Sequence, residues 1–127
     1  MSDAEPYRPP KRPWPAKFWN AFRAAWSAVR QESSFHVHAV FAVAVAAAAG
    51  VLRVDRIEWC ILVLCITIVF SAELMNTALE HLAKAVDRSE NPHLARALDL
   101  GSASVLAAAL GAVAVGSLVF LRHLLPV

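Results

Sequence analysis

Charge is scarce in this chain, and long stretches carry none. Of 127 residues, 17% are charged and 58% hydrophobic, with a mean hydropathy of +0.51. The net charge of +2 is too small to argue for nucleic acid as a partner. Long segments lack the apolar–polar alternation that a soluble domain of this length would show throughout, and the length suggests one compact domain at most. Cysteine is also sparse. Cys60 and Cys65 stand five apart in one apolar run, so on a helix they point in different directions. A mutual disulfide is not expected, metal spacing of the CxxC type is absent, and both read as ordinary lipid- or core-facing residues. The G-x-x-x-x-G-K-[ST] phosphate loop is missing, and its nearest approach, GAVAVGSL from Gly111, has no lysine and lies inside an apolar helix. MSDAEPYRPPKRPWP at the N-terminus sets its charges beside no apolar core, so a cleavable signal peptide is not expected. Residues 1–16 read as a flexible tail.

What is present is helical. In KFWNAFRAAWSAVRQESS (17–34), Phe18, Phe22, Ala25, Trp26 and Val29 share one face, with Lys17, Arg23, Ser27 and Arg30 largely elsewhere. An amphipathic helix this basic and aromatic lies in the headgroup plane of a membrane. FHVHAVFAVAVAAAAGVL (35–52) is a first span, near the lower limit of the roughly 20 residues a bilayer requires. After the polar turn RVDR (53–56), a second helix runs over 57–86. It is longer than the hydrocarbon is thick, so one end must reach water. DRSENPH (87–93) reads as a loop, with Pro92 discouraging helix at Asn91. A third span over 98–125 is rich in small residues that favour close packing in lipid. The expected fold is an all-α membrane protein with a surface helix and three spans.

Lysine and arginine set the orientation. Arg8, Lys11, Arg12, Lys17, Arg23 and Arg30 precede the first span, and Lys84, Arg88 and Arg96 lie between the second and third. Arg53, Arg56 and Arg122 stand on the other side, nine against three. The N-terminus and the 87–96 region are therefore expected in the cytoplasm, and the C-terminus outside.

The apolar run WCILVLCITIVF (59–70) leads straight into SAELMNTALE (71–80). Glu73, Asn76 and Glu80, spaced i, i+3, i+7, fall on one helical stripe. Glu32 lies where the surface helix meets the first span, and Asp99 opens the third. The topology thus gathers four carboxylates in one cytoplasmic interfacial layer, where they repel unless compensated. A divalent cation is the simplest compensator. Oxygen ligands suit Mg²⁺, which takes one or two protein carboxylates and completes its shell with water and phosphate. A purely structural reading also exists, in which Lys84 neutralises Glu80 as an i, i+4 pair. His36 and His38, two apart on a helix, share no face and read as interfacial hydrogen bonders.

AELMNTALE resembles the signature E-x-x-N-[ST]-A-x-E of the small bacterial membrane lipid kinases, the diacylglycerol kinase and undecaprenol kinase family. The resemblance covers about 100 residues: FWNAFRAAWSAVRQESSFHVH is similar to that family's surface helix and entry to the first span, and LARALDLGSASVLAAA to the start of its third. The pattern E-x-x-F-x-[IV]-H at Glu32, Phe35 and His38 is closer to the undecaprenol kinase branch. The resemblance implies ATP-dependent phosphorylation of a membrane lipid hydroxyl, undecaprenol or diacylglycerol, by a homotrimer in the inner (cytoplasmic) membrane. It implies Glu73 as general base and Glu32 and Glu80 as holders of the Mg²⁺ that bridges the ATP phosphates. It further implies Asn76 as the residue that positions the reactants and Asp99 as a nucleotide contact.

Two positions depart from the family. Its third span usually opens with lysine–aspartate, where this chain has Leu98–Asp99. It usually has aspartate four residues after the second motif glutamate, where this chain has Lys84. Lys84, backed by Arg88 or Arg96, is the expected replacement for the missing positive charge at the nucleotide. The rival reading is a catalytically impaired member of the same fold, serving as a non-enzymatic membrane partner. A proton-coupled carrier would place its acid near mid-membrane, and Glu73 near the cytoplasmic edge argues against one.

Overall fold

A computed structural model describes residues 5–125. The chain forms α1 (Trp14–Gln31), α2 (Ser33–Val51), α3 (Arg56–Val86) and α4 (Pro92–Leu124), and among the described residues there is no strand. Helices α2, α3 and α4 are each long and apolar enough to cross a membrane. The first four residues of the expected tail lie outside the described residues.

Local chemistry moves several helix ends from where periodicity puts them. Helix α1 starts at Trp14 with Pro15 in its first turn, where a missing N–H removes no hydrogen bond. It stops at Glu32, a single extended residue (φ −91°, ψ 123°). Ser33 and Ser34 therefore belong to α2 rather than to the surface helix. Helix α4 begins at Pro92, six residues ahead of the expected Leu98. The Asn91 side chain accepts from the amides of His93 (3.0 Å) and Leu94 (3.3 Å), and Pro92 supplies a pre-set φ at the first helical position. In the loop before it, the Ser89 hydroxyl and amide donate to Asp87 (2.7 and 2.9 Å). Those bonds hold the Asp87 carboxyl below its ordinary value.

The α2–α3 turn closes tightly. Arg53 takes a left-handed conformation (φ 52°), its N–H reaches the Gly50 carbonyl and the Val54 N–H reaches that of Ala49, a Schellman ending. Val54 then buries against Ala49, Leu62 and Val119. Asp55 caps α3 through a reciprocal capping box with Glu58 (2.9 Å each way). Glu58 is 5% exposed and also accepts from Arg122 (3.0 Å) and His123 (2.8 Å) at the far end of α4.

These contacts fix two antiparallel registers. Ser34 lies opposite Glu73 and Ala49 packs with Leu62, so α2 runs against α3. Gly101 lies opposite Asn76 and His123 opposite Glu58, so α4 runs against α3 as well. The α3–α4 pair packs most extensively. Few apolar side chains are fully enclosed, and wide apolar faces of α2, α3 and α4 stay exposed, including Val40, Phe41, Val43, Leu64, Ile68 and Leu110. In a bilayer such faces meet acyl chains or neighbouring helices. On α1, Trp14, Phe18, Trp19, Phe22 and Trp26 are all exposed, as a helix lying among headgroups requires.

Candidate active site

Glu73 is 3% exposed, although it lies in an apolar helix near the end where α1 joins α2. Its burial has two partners. Ser34 Oγ donates to Oε2 at 3.2 Å, and His38 Nε2 meets Oε1 at 2.8 Å. The extended residue Glu32 makes this possible by ending α1, so that Ser34 and His38, one helical turn apart on α2, face α3 together. Between them Phe35, fully buried, packs on Phe70 with ring centroids 5.7 Å apart. The E-x-x-F-x-[IV]-H pattern thus has a structural meaning: phenylalanine seals the α2–α3 seam and histidine reaches the buried acid.

One turn further along α3, Asn76 Nδ2 donates to Glu80 Oε1 at 3.0 Å. Among the described residues Asn76 Oδ1 is buried without a hydrogen-bond partner, and it faces Gly101. A Cβ there would stand 2.5 Å from it, so glycine lets α4 approach the asparagine closely. The stripe Glu73, Asn76, Glu80 holds together, with Glu80 about 10 Å beyond Glu73 along the axis by helical rise.

The two registers place the remaining residues. Extending the α2–α3 pairing puts Glu32 at the depth of Asn76. Extending the α3–α4 pairing puts Asp99 at the depth of Glu80. Glu32 is half-buried and Asp99 exposed. Lys84 is exposed, and among the described residues it makes no ion pair with Glu80. No three His, Cys, Asp or Glu side chains among the described residues gather as a self-sufficient metal site. A hard cation that takes one or two carboxylates and fills its shell with water and phosphate needs none. The carboxylate oxygens of Glu32 and Glu80 are the donor type such an ion takes.

Ser34 and the pairing of His38 with Glu73 escape a reading of the sequence by motif. The signal that finds them is the turn itself: with a tight reversal at Arg53–Val54, residues equidistant from it face each other, which puts position 34 opposite 73 and position 38 opposite 69, one helical turn from 73. Glu58, Arg122 and His123 are found the same way across the second hairpin.

The profile for prokaryotic diacylglycerol kinase matches residues 19–120, from the surface helix to the last turns of α4. The chain is 35% identical over 107 residues to the undecaprenol kinase of Bacillus subtilis, covering 84% of this chain and 87% of that protein. It is 36% identical over 110 residues to a diacylglycerol kinase of Synechocystis, covering 83% and 63% respectively. With the diacylglycerol kinase of Escherichia coli it shares 30% identity over 105 residues, covering 83% and 84%. With the motif stripe assembled around a buried glutamate and the match running through all four helices, the chain belongs to the prokaryotic diacylglycerol kinase family of membrane lipid kinases.

Proposed function

We propose that this chain transfers the γ-phosphoryl group of ATP to the hydroxyl of a membrane lipid, undecaprenol or diacylglycerol, at the cytoplasmic face of the inner membrane, working as a homotrimer. The observation that carries the reading is Glu73: a carboxylate, 3% exposed, held by two donors and one turn from the Asn76–Glu80 pair. A lipid hydroxyl sits at the interface, so a base serving it should lie deeper than the groups that face phosphate, and Glu73 lies deeper than Glu80.

Phosphoryl transfer depends mainly on in-line positioning and charge neutralisation. In the proposed step the lipid O–H bond breaks, its proton goes to a Glu73 oxygen, the lipid oxygen bonds to the γ-phosphorus, and ADP leaves with the electron pair of the broken P–O bond. Glu32 and Glu80 would hold Mg²⁺, whose contribution is to neutralise phosphate charge. Asn76 fixes Glu80 and positions the reactants, and Asp99, at the same depth, contacts nucleotide. Lys84, backed by Arg88 or Arg96, supplies the positive charge that Leu98 does not. The names of the relatives, undecaprenol kinase and diacylglycerol kinase, support both candidate acceptors.

The test is purified protein in detergent with radiolabelled ATP, offered undecaprenol and diacylglycerol side by side. Labelled lipid in one lane names the acceptor; none in either overturns the proposal. Glu73→Gln should lower turnover at least about 10²-fold, the loss typical of removing a general base, while the protein stays folded. Glu32→Gln and Glu80→Gln should raise the Mg²⁺ concentration needed for half-maximal rate. An unchanged Mg²⁺ requirement removes their assignment as ligands.

A further inference from the structure

A carboxylate buried among apolar helices must be paired and hydrogen-bonded. Among the described residues Glu73 meets that requirement through α2 alone, with Ser34 Oγ on Oε2 and His38 Nε2 on Oε1. Each oxygen keeps further lone-pair capacity, so both can be tied while one still accepts a proton. The two bonds are unequal. The serine contact, at 3.2 Å, is long for O–H···O, whereas the histidine contact at 2.8 Å is short. An ionised carboxylate offers acceptors only, so the histidine Nε2 must carry the hydrogen. His38, Val69 and Phe70 also line an apolar groove of about 550 Å³ between α2, α3 and α4. The imidazole therefore stands where the acid meets a water-poor, low-dielectric space, in which a hydrogen bond is electrostatically stronger than in water.

We infer that His38 is a positioning residue for this reaction, whose Nε2–H fixes the rotamer of Glu73 so that a free lone pair is presented to the lipid hydroxyl. The inference rests on Glu73 serving as the base. His38 itself does not take the substrate proton. Ser34 steadies the second oxygen and has the smaller effect, because its bond is longer. A histidine kept only for packing would affect stability; one that aims the base affects the chemical step. Misplacing a reacting group by about 1 Å can lower a rate on the order of 10²-fold.

The experiment measures kcat, KM for ATP and lipid, and thermal melting for His38→Ala, His38→Gln, Glu73→Gln and the double variant His38→Ala/Glu73→Gln, all as full chains in one detergent. His38→Ala should lose kcat on the order of 10²-fold with both KM values within about twofold of the parent. His38→Gln, whose amide N–H can donate to Glu73, should recover most of that loss. The double variant should turn over no more slowly than Glu73→Gln alone, because the histidine acts through the glutamate. If Glu73→Gln keeps parental turnover, the base assignment falls and this inference with it. If Glu73→Gln is inactive while folded His38→Ala keeps parental kcat, or loses only melting temperature or KM, the base stands and this inference alone is overturned.

Discussion

A methyl group at position 101 would stand 2.5 Å from Asn76 Oδ1 and 3.1 Å from Leu79 Cδ1. The glycine is thus what lets α4 lie against the motif stripe, and its replacement must push either the asparagine or the helix. Gly101→Ala should destabilise the protein by about 1–3 kcal/mol, the usual penalty for overpacking a close contact. It should also lower turnover by moving the amide that holds Glu80. In an Asn76→Ala background the stability loss should shrink, because the oxygen it strikes is gone. Melting curves and turnover for the four combinations check this, and a Gly101→Ala protein as stable as its parent refutes it. A second prediction at this scale concerns the missing cation. Lys84 is exposed and unpaired with Glu80 among the described residues, so it is free to face phosphate. Lys84→Ala should raise KM for ATP, and Leu98→Lys in that background should restore it; an unaffected Lys84→Ala enzyme rules out compensation. The motif residues themselves were legible in the sequence because their spacing on one stripe is a property of a single helix. Ser34 and the partner of His38 were not, since hydrogen bonds between helices depend on register, which a motif does not carry.

At the scale of elements, the far end of the α3–α4 hairpin is held by Glu58, which joins its own capping box to Arg122 and His123. Three spans and a surface helix follow from periodicity and hydropathy alone, and their order was readable. Their ends were not, because caps decide them: Asn91 and Pro92 start α4 early, and extended Glu32 hands both serines to α2. The Glu58 clamp was hidden for a similar reason, as its partners lie 64 and 65 residues away. Within the clamp the two cations are not equivalent. The Arg122 side chain is 69% exposed and that of His123 only 23%, so screening by water leaves the arginine the weaker partner. Glu58→Ala should therefore lower the melting temperature in detergent, and its coupling to His123→Ala in a double-mutant cycle should exceed its coupling to Arg122→Ala. Turnover of the folded protein should hold within about twofold, because Glu58 lies about 22 Å along α3 from Glu73 by helical rise. Equal coupling to the two cations would contradict this ranking.

For the whole molecule, the register of both hairpins collects the acids at one membrane surface and the clamp at the other. The start of α2, the end of α3 and the start of α4 share one level with Glu32, Glu80 and Asp99, while the α2–α3 turn, Glu58 and the end of α4 share the opposite one. Orientation then decides whether the acidic level meets cytoplasmic ATP. Nine lysines and arginines lie on that level or before it and three on the other side, and of those three Arg122 is tied to Glu58 and Asp55. The charge asymmetry predicts an acidic level in the cytoplasm. With Cys60 and Cys65 replaced by alanine, a cysteine at Ser89 should react with a membrane-impermeant maleimide only after the cells are permeabilised, and a cysteine at Arg53 should react in intact cells. The reverse pattern would place Glu73 and Glu80 on the side without ATP and end the proposed function, however well the site is built. The same purified variants give the assembly state: light scattering corrected for detergent should return three times the 13.8 kDa chain mass. A monomeric mass with full turnover would show that the Ser34–His38–Glu73 arrangement and the Asn76–Glu80 pair, all on one chain, suffice without a neighbour.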